Sequence, residues 1–309
     1  MKPATRNETY PLTRRDFVRL AVLAASGAAL GLETGGQSIP AAARPIIGFS
    51  KPFRSMGAED SAALVEEIGW SGIECPVRAD EGQILPERVE EDLPRFVEAF
   101  RRRGLDIPVL VTEIASIRDP HAESVLRAAA KLGIRRIRLG AWFYRPGRSL
   151  EQQVDEFGGA LRDIGQACGE LGIQGAVQNH SAPDRFAAPV WDVVGALRDH
   201  QVKNVGLCFD IGHATVEGGL SWPIQARLAE PYYTAVYVKD FTWAKGPEGW
   251  RPVWCPLGQG MINRSFIAKL ARSGFFGPIC QHQEYPMADR AEMVADMRRD
   301  LRVLRDWMA

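Results

Sequence analysis

From Arg44 onward the chain switches repeatedly between two hydrophobic periods. Leu93, Phe96, Val97 and Phe100 recur at i, i+3, i+4 and i+7, which places them on one stripe of a helix that Pro86 opens and Gly104 stops. Met293, Met297, Leu301 and Leu304 do the same over residues 291–307. Helical patterns also cover residues 58–68, 120–132, 150–171, 190–199, 222–228 and 265–271, with Gly69 and Gly172 as stops. Between these lie short apolar runs that predict strands over residues 45–53, 71–77, 107–114, 134–143, 173–180, 234–241 and 278–284. One further strand opens the stretch 204–215, where Val205, Leu207 and Phe209 alternate with Gly206, Cys208 and Asp210 until Gly212 breaks the run. Residues 242–261, with Trp243, Trp250, Trp254, Gly258 and Gly260, read as a long loop.

Eight strands thus alternate with eight helices, an α/β pattern that favours a single closed (β/α)8 barrel over an open doubly wound sheet. Such barrels take about 250 residues, and residues 44–309 suffice for one. No Gly-rich phosphate fingerprint follows the first strand, which removes the usual dinucleotide-binding reading.

Residues 1–43 stand apart from this pattern. Thr13, Arg14, Arg15, Asp16 and Phe17 resemble the twin-arginine export signature, an apolar stretch follows over residues 18–32, and Ala41, Ala42 and Ala43 make a small-residue cleavage site. The expected division is a twin-arginine-type signal peptide over residues 1–43 and a barrel over residues 44–309, exported to the periplasm. The apolar stretch is short and is followed by a loose Gly- and Ser-containing linker, so no stable membrane insertion is expected after processing.

Composition narrows the partners. Hydrophobic residues make up 46% of the chain and charged residues 25%, which is ordinary for a soluble domain. Basic and acidic residues balance at 38 each, so nothing points to nucleic acid or to an anionic membrane, and a small molecule is the expected partner. Assembly into a homo-oligomer stays open. The five cysteines are odd in number and lack CxxC spacing, which excludes a zinc or disulfide framework.

In a barrel of this kind the chemistry belongs to the C-terminal ends of the strands and the loops after them. Strand five ends in Gln178 and His180, strand six in Asp210 with His213 beyond it, strand seven in Tyr237, Lys239 and Asp240, and strand eight in His282 and Glu284. Side chains two apart share a face, so these pairs can point into one cavity. Carboxylates and imidazoles meeting there suit a divalent ion such as Mn²⁺, Co²⁺, Mg²⁺ or Zn²⁺, with Gln178, His180, Asp210 and Glu284 as ligands. Such an ion would polarise a substrate oxygen while Glu284 or His180 moves a proton at the adjacent carbon. Lys239 and Arg138 are candidates for an enolate oxygen or a substrate anion, or else for internal ion pairs with Asp210, Asp240 or Glu284. His213 is a further substrate contact, unless Asp210 and His213 only shape the turn that follows. Trp142, Trp243 and Trp254 have the faces to stack on a sugar ring, or to anchor loops.

The segments GLCFDIGHA, VYVKDF, PLGQGMI and HQEYP, in that order, resemble the sugar phosphate isomerase/epimerase family with its xylose-isomerase-like TIM barrel. That resemblance implies one divalent metal held by Glu on strand five, Asp on strand six, His on strand seven and Glu on strand eight, with the two glutamates as acid and base. Asp210 and Glu284 match this pattern. Gln178 stands where the family has Glu, and Tyr237 where it has His. An amide oxygen can ligate a metal but cannot exchange a proton, so the two-glutamate mechanism lacks one base unless His180 or His213 supplies it.

The expectation is therefore a metal-assisted sugar isomerase or epimerase working by proton abstraction next to a carbonyl. A lyase or hydrolase acting on a keto-sugar or glycoside needs only one base and one acid, and Gln178 suits it better. A barrel that binds sugar without catalysis is the remaining alternative.

Overall fold

The computed structural model describes residues 44–309. The expected signal peptide and its cleavage site lie outside the described residues. Eight parallel strands close into a barrel: β1 (Ile46–Phe49), β2 (Gly72–Pro76), β3 (Asp106–Val111), β4 (Arg136–Arg138), β5 (Gln174–Gln178), β6 (Val205–Asp210), β7 (Tyr233–Val238) and β10 (Ile279–Gln281). They pair in chain order, and β10 closes the ring against β1 with Ile46 opposite Ile279. The α-helices of the described residues are α1 (Ala58–Ile68), α2 (Val89–Arg102), α3 (Ala122–Lys131), α4 (Leu150–Glu170), α5 (Val190–Asp199), α6 (Ile211–Gly218), α7 (Trp222–Ala229), α8 (Arg264–Arg272) and α9 (Arg290–Met308).

The period-2 alternation divides the strand residues between two cores. Ile47, Phe49, Val109, Ala176, Cys208, Ala235, Tyr237 and Cys280 form a cluster inside the barrel, whereas the larger core lies between strands and helices. Met297, Leu301 and Leu304 on α9 belong to that outer layer, where each fully buried side chain contributes about 1.5–3 kcal/mol. Arg136, also inside the barrel, donates from Nε to the Thr234 carbonyl at 2.9 Å. All five cysteines are free. No helix among the described residues is long and apolar enough to cross a membrane.

Two features differ from the expected elements. The stretch read as a loop contains a hairpin, β8 (Asp240–Gly246) paired antiparallel with β9 (Gly249–Cys255), in which Phe241 faces Trp254 and Trp243 faces Pro252. Its strands are a two-stranded ribbon beside the barrel rather than part of it, so they lack the buried face whose alternation would mark them. The second feature is the short helix α6, which starts directly at the end of β6 because Asp210 caps it through the His213 amide at 3.0 Å. Strands β4 and β10 are also shorter than their apolar runs. Lys239, His282 and Glu284 consequently sit just beyond the last paired residues, at the mouth.

Candidate active site

Side chains of alternating charge span the mouth. Arg138, the last residue of β4, places Nη1 3.5 Å from Glu74 Oε1 in β2. The same Glu74 oxygen lies 3.0 Å from His282 Nε2, and His282 Nδ1 lies 3.5 Å from Glu284 Oε1. Glu284 Oε1 accepts from Lys239 Nζ at 2.5 Å, and that ammonium is also 3.4 Å from Asp210 Oδ2 at the end of β6. Asp210 Oδ2 finally accepts from Gln178 Nε2 at 3.0 Å. Except for Glu284, whose side chain is 27% exposed, these groups are buried.

Burial on its own would neutralise such groups, and their partners decide otherwise. Burial raises the Glu74 pKa, but Arg138 and His282 outweigh it and bring the carboxyl to about 2. Burial likewise disfavours the charge on His282, yet Glu74 and Glu284 hold its pKa above the ordinary value. The ring of His282 is sandwiched between Phe49, at 4.3 Å and 7°, and Tyr237, at 4.5 Å and 30°. Glu284 is held well below the usual carboxylate range, since Lys239 and His282 together exceed its burial penalty. The Lys239 ammonium also lies 4.3 Å from the ring centre of Trp254, which the hairpin delivers.

His180 and His213 form a second cluster, with ring centres 3.9 Å apart. His213 Nδ1 accepts from the Ser181 amide at 3.2 Å, so the proton of the neutral ring resides on Nε2, 3.8 Å from Asp210 Oδ2. His180 is the opposite tautomer. Its Nδ1 donates to the Ser181 carbonyl at 3.0 Å, which leaves the lone pair on Nε2. Burial, with Arg185 and Lys239 nearby, pushes His180 down to about 3, and burial with Lys239 holds His213 well below its ordinary value, so both rings are neutral at pH 7.

Three positioning devices hold this arrangement. Asn179 pairs with the Asp210 backbone in both directions, Nδ2 donating to the carbonyl at 2.9 Å and Oδ1 accepting from the amide at 2.7 Å. Gly212, in the first turn of α6, lets the Lys239 stem pass, because a Cβ there would lie 2.8 Å from Lys239 Cγ. Asp240 accepts backbone amides of Phe241, Gly258, Gly260 and Ile262 at 2.9–3.0 Å, which secures the hairpin and the segment after it. These bonds account for both Asp240 oxygens, so this carboxylate anchors a loop.

The residues singled out in the sequence fall into three groups. Gln178, Asp210, Lys239 and Glu284 meet directly, and His180 and His213 adjoin them. Arg138 joins through Glu74 and places its guanidinium 5.7 Å from the Tyr237 ring centre. Trp142 packs against Phe157 and Phe186, while Trp243 lies partly exposed against Phe241; neither touches the charged groups. Glu74, Asn179 and the bridging role of His282 were not among the expected site residues. A carboxylate inside the apolar run GIECP of β2 was the available signal for Glu74.

Of the side chains expected to hold a divalent ion, Gln178, Asp210 and Glu284 are engaged with other partners here, while His180 keeps a free Nε2. Gln178 turns its amide N–H, not its oxygen, toward Asp210, and the position between Asp210 and Glu284 is taken by the Lys239 ammonium. Among the described residues, Glu74, Cys280 and His282 are the group whose ligand atoms lie within 4.8 Å of one another. There the Arg138 guanidinium already contacts Glu74, and the His282 ring is stacked between Phe49 and Tyr237.

The sequence model of the xylose isomerase-like TIM barrel family matches residues 62–307. Among solved structures, a xylose isomerase-like TIM barrel protein from Mycobacterium smegmatis in complex with magnesium shares 18% identity, with 88% of this chain and 100% of that chain covered and a TM-score of 0.65. The 3-keto-D-glucoside 4-epimerase from E. coli is 16% identical over 85% of this chain and 99% of that one, with a TM-score of 0.67. A probable 3-DHS dehydratase from Bacillus anthracis is 15% identical over 84% and 98%, with a TM-score of 0.65. A search of curated proteins finds no match.

Proposed function

The chain belongs to the xylose isomerase-like TIM barrel family, and on that premise we propose that it is a sugar isomerase or epimerase that moves a proton at the carbon beside a carbonyl. One observation supports this above others: a buried ammonium, Lys239, lies against the rim carboxylate Glu284 at 2.5 Å, where a carbonyl oxygen entering the mouth would meet both. The E. coli neighbour is itself a keto-sugar epimerase. The twin-arginine-type leader adds the proposal that the substrate is an unphosphorylated sugar met outside the cytoplasm.

The step follows from the groups present. Lys239 Nζ donates to the substrate carbonyl oxygen. The Glu284 carboxylate takes the proton from the adjacent carbon, the C–H electron pair becomes a C=C bond, and the carbonyl π pair settles on oxygen as an enolate beside the ammonium. Because Lys239, with His282, depresses Glu284, the turn of Lys239 toward the enolate makes Glu284 a better base as the proton leaves. The enolate collapses when a proton returns to carbon from the protonated Glu284 carboxyl, or from a water on the opposite face, and the free Nε2 of His180 is a lone pair that accepts a proton rather than supplying one.

A lyase reading has its own support in Gln178, which removes the second carboxylate that a symmetric epimerase uses and leaves one base with one acid. Both readings share the enolate and differ in what departs from it.

Incubation with a panel of keto-sugars and 3-keto-glucosides in D₂O tests the proposal by deuterium at the carbon next to the carbonyl. Exchange is expected in the wild type, reduced about 10²–10⁴-fold in Glu284→Gln, and retained in His200→Ala, whose ring pairs with Asp155 on α4. An unsaturated product in place of an epimer identifies the lyase. No exchange with any panel member, or equal loss in both variants, overturns the proposal.

A further inference from the structure

We infer that the Lys239 ammonium takes the position a divalent cation would occupy between Asp210 and Glu284, so that this member of the family operates without a bound metal. The inference rests on the mouth being the reaction site, and it supplies the positive charge for that reaction from the chain itself.

Three independent features of the site agree. The first is placement: Nζ lies 2.5 Å from Glu284 Oε1 and 3.4 Å from Asp210 Oδ2, and the Trp254 ring lies 4.3 Å from it. An ammonium there leaves no room for an ion that would bridge the same oxygens. The second is the donor inventory. Gln178 brings no negative charge and spends its N–H on Asp210, and Tyr237 presents a neutral phenol whose ring is stacked on His282.

The third is charge. Arg138 and Lys239 are interleaved with the carboxylates Glu74, Glu284 and Asp210 across the mouth, and His282 lies between the two glutamates. Adding a doubly charged ion would leave buried positive charge unmatched, and removing Lys239 would leave two carboxylates facing each other. Gly212 belongs to the same arrangement, since any side chain there would displace the Lys239 stem. The tethered cation is always present, so the site needs no loading step.

The test is metal analysis combined with thermal unfolding, without substrate. Full-length wild-type protein is dialysed against EDTA and then offered Mn²⁺, Co²⁺, Mg²⁺ or Zn²⁺. The expected result is metal far below one equivalent and an unchanged midpoint with each ion. Lys239→Arg, which keeps the charge, is expected to behave likewise. In Lys239→Met the carboxylates lose their cation, and uptake of close to one equivalent of Mn²⁺ is expected, raising the midpoint by roughly 5 °C or more.

Wild-type protein that retains about one equivalent of any of these ions, and loses stability when EDTA strips it, overturns the inference; this measurement stands whether or not Lys239→Met folds. A folded Lys239→Met that takes up no ion overturns it as well. Failure of the deuterium experiment would sink the proposed reaction while the metal content stayed low, and metal uptake by the wild type would sink this inference and the role given to Lys239 while proton exchange by Glu284 persisted, so the two failures are distinguishable.

Discussion

A carboxylate with no exposed surface has to be matched by positive charge, and Glu74 is matched twice. Its Oε1 lies 3.0 Å from His282 and 3.5 Å from Arg138, and replacing it would leave Arg138 buried without a counter-charge and His282 with Glu284 alone. Breaking a buried pair from one side costs about 3–5 kcal/mol, so Glu74→Gln is expected to lower the guanidinium unfolding free energy by that amount. The exposed pair Glu123–Arg127 on α3 offers the contrast. Its charges are solvated and screened, and Glu123→Gln is expected to leave the unfolding midpoint unchanged. Equal effects of the two substitutions would refute the charge alternation described for the mouth. From sequence, Asp210, Lys239 and Glu284 were recognisable because they terminate strands. Glu74 was not, because its partners come from β4 and the segment after β10, far along the chain.

At the scale of elements, the β8–β9 hairpin is the part that places Trp254 over Lys239 and beside His213. What fastens it is the Asp240 carboxylate in its ring of backbone amides. Gly260 permits that close approach, since a Cβ there would stand 2.2 Å from Asp240 Oδ1 and 2.4 Å from the Phe241 carbonyl. Gly260→Ala and Asp240→Asn are therefore expected to speed hydrogen exchange at the amides of Gly258 and Ile262 and to lower turnover about 10–100-fold through misplacement of Trp254. Unchanged exchange in Gly260→Ala would remove the anchoring role. Both glycines of PLGQGMI were visible in the sequence, but their use was not, since an amide's partner depends on which carboxylate the fold brings to it.

For the molecule as a whole, the buried groups set how stability follows pH. Glu74, lowered from 4.5 to about 2, and Glu284, lowered well below 4.5, contribute stability above the ordinary carboxylate range that is lost as pH falls through their folded values. His180, lowered from 6.5 to about 3, and His213, also well below 6.5, must take up protons on unfolding in acid, so they act in the same direction up to about pH 6.5. Asp192, raised by burial from 3.8 to about 6, opposes them, and so does Asp300, which burial also raises. The thermal midpoint is expected to rise between about pH 3 and 6, with a shallower slope in Glu74→Gln. A flat profile from calorimetry in both proteins would contradict the ionisation states assigned to the mouth.

By itself the chain's hydrophobic periodicity determined the number and order of barrel strands, because the period of burial is a local property that side chains two or four apart reveal. It also marked the rim residues, since parallel barrels expose strand ends on one side. The order of charges across the mouth, the tautomers of His180 and His213, and the lysine set between Asp210 and Glu284 were decided only by tertiary structure. Those features depend on distances between strands separated by tens of residues, and a difference of a few ångströms determines whether two carboxylates share a metal ion or a lysine.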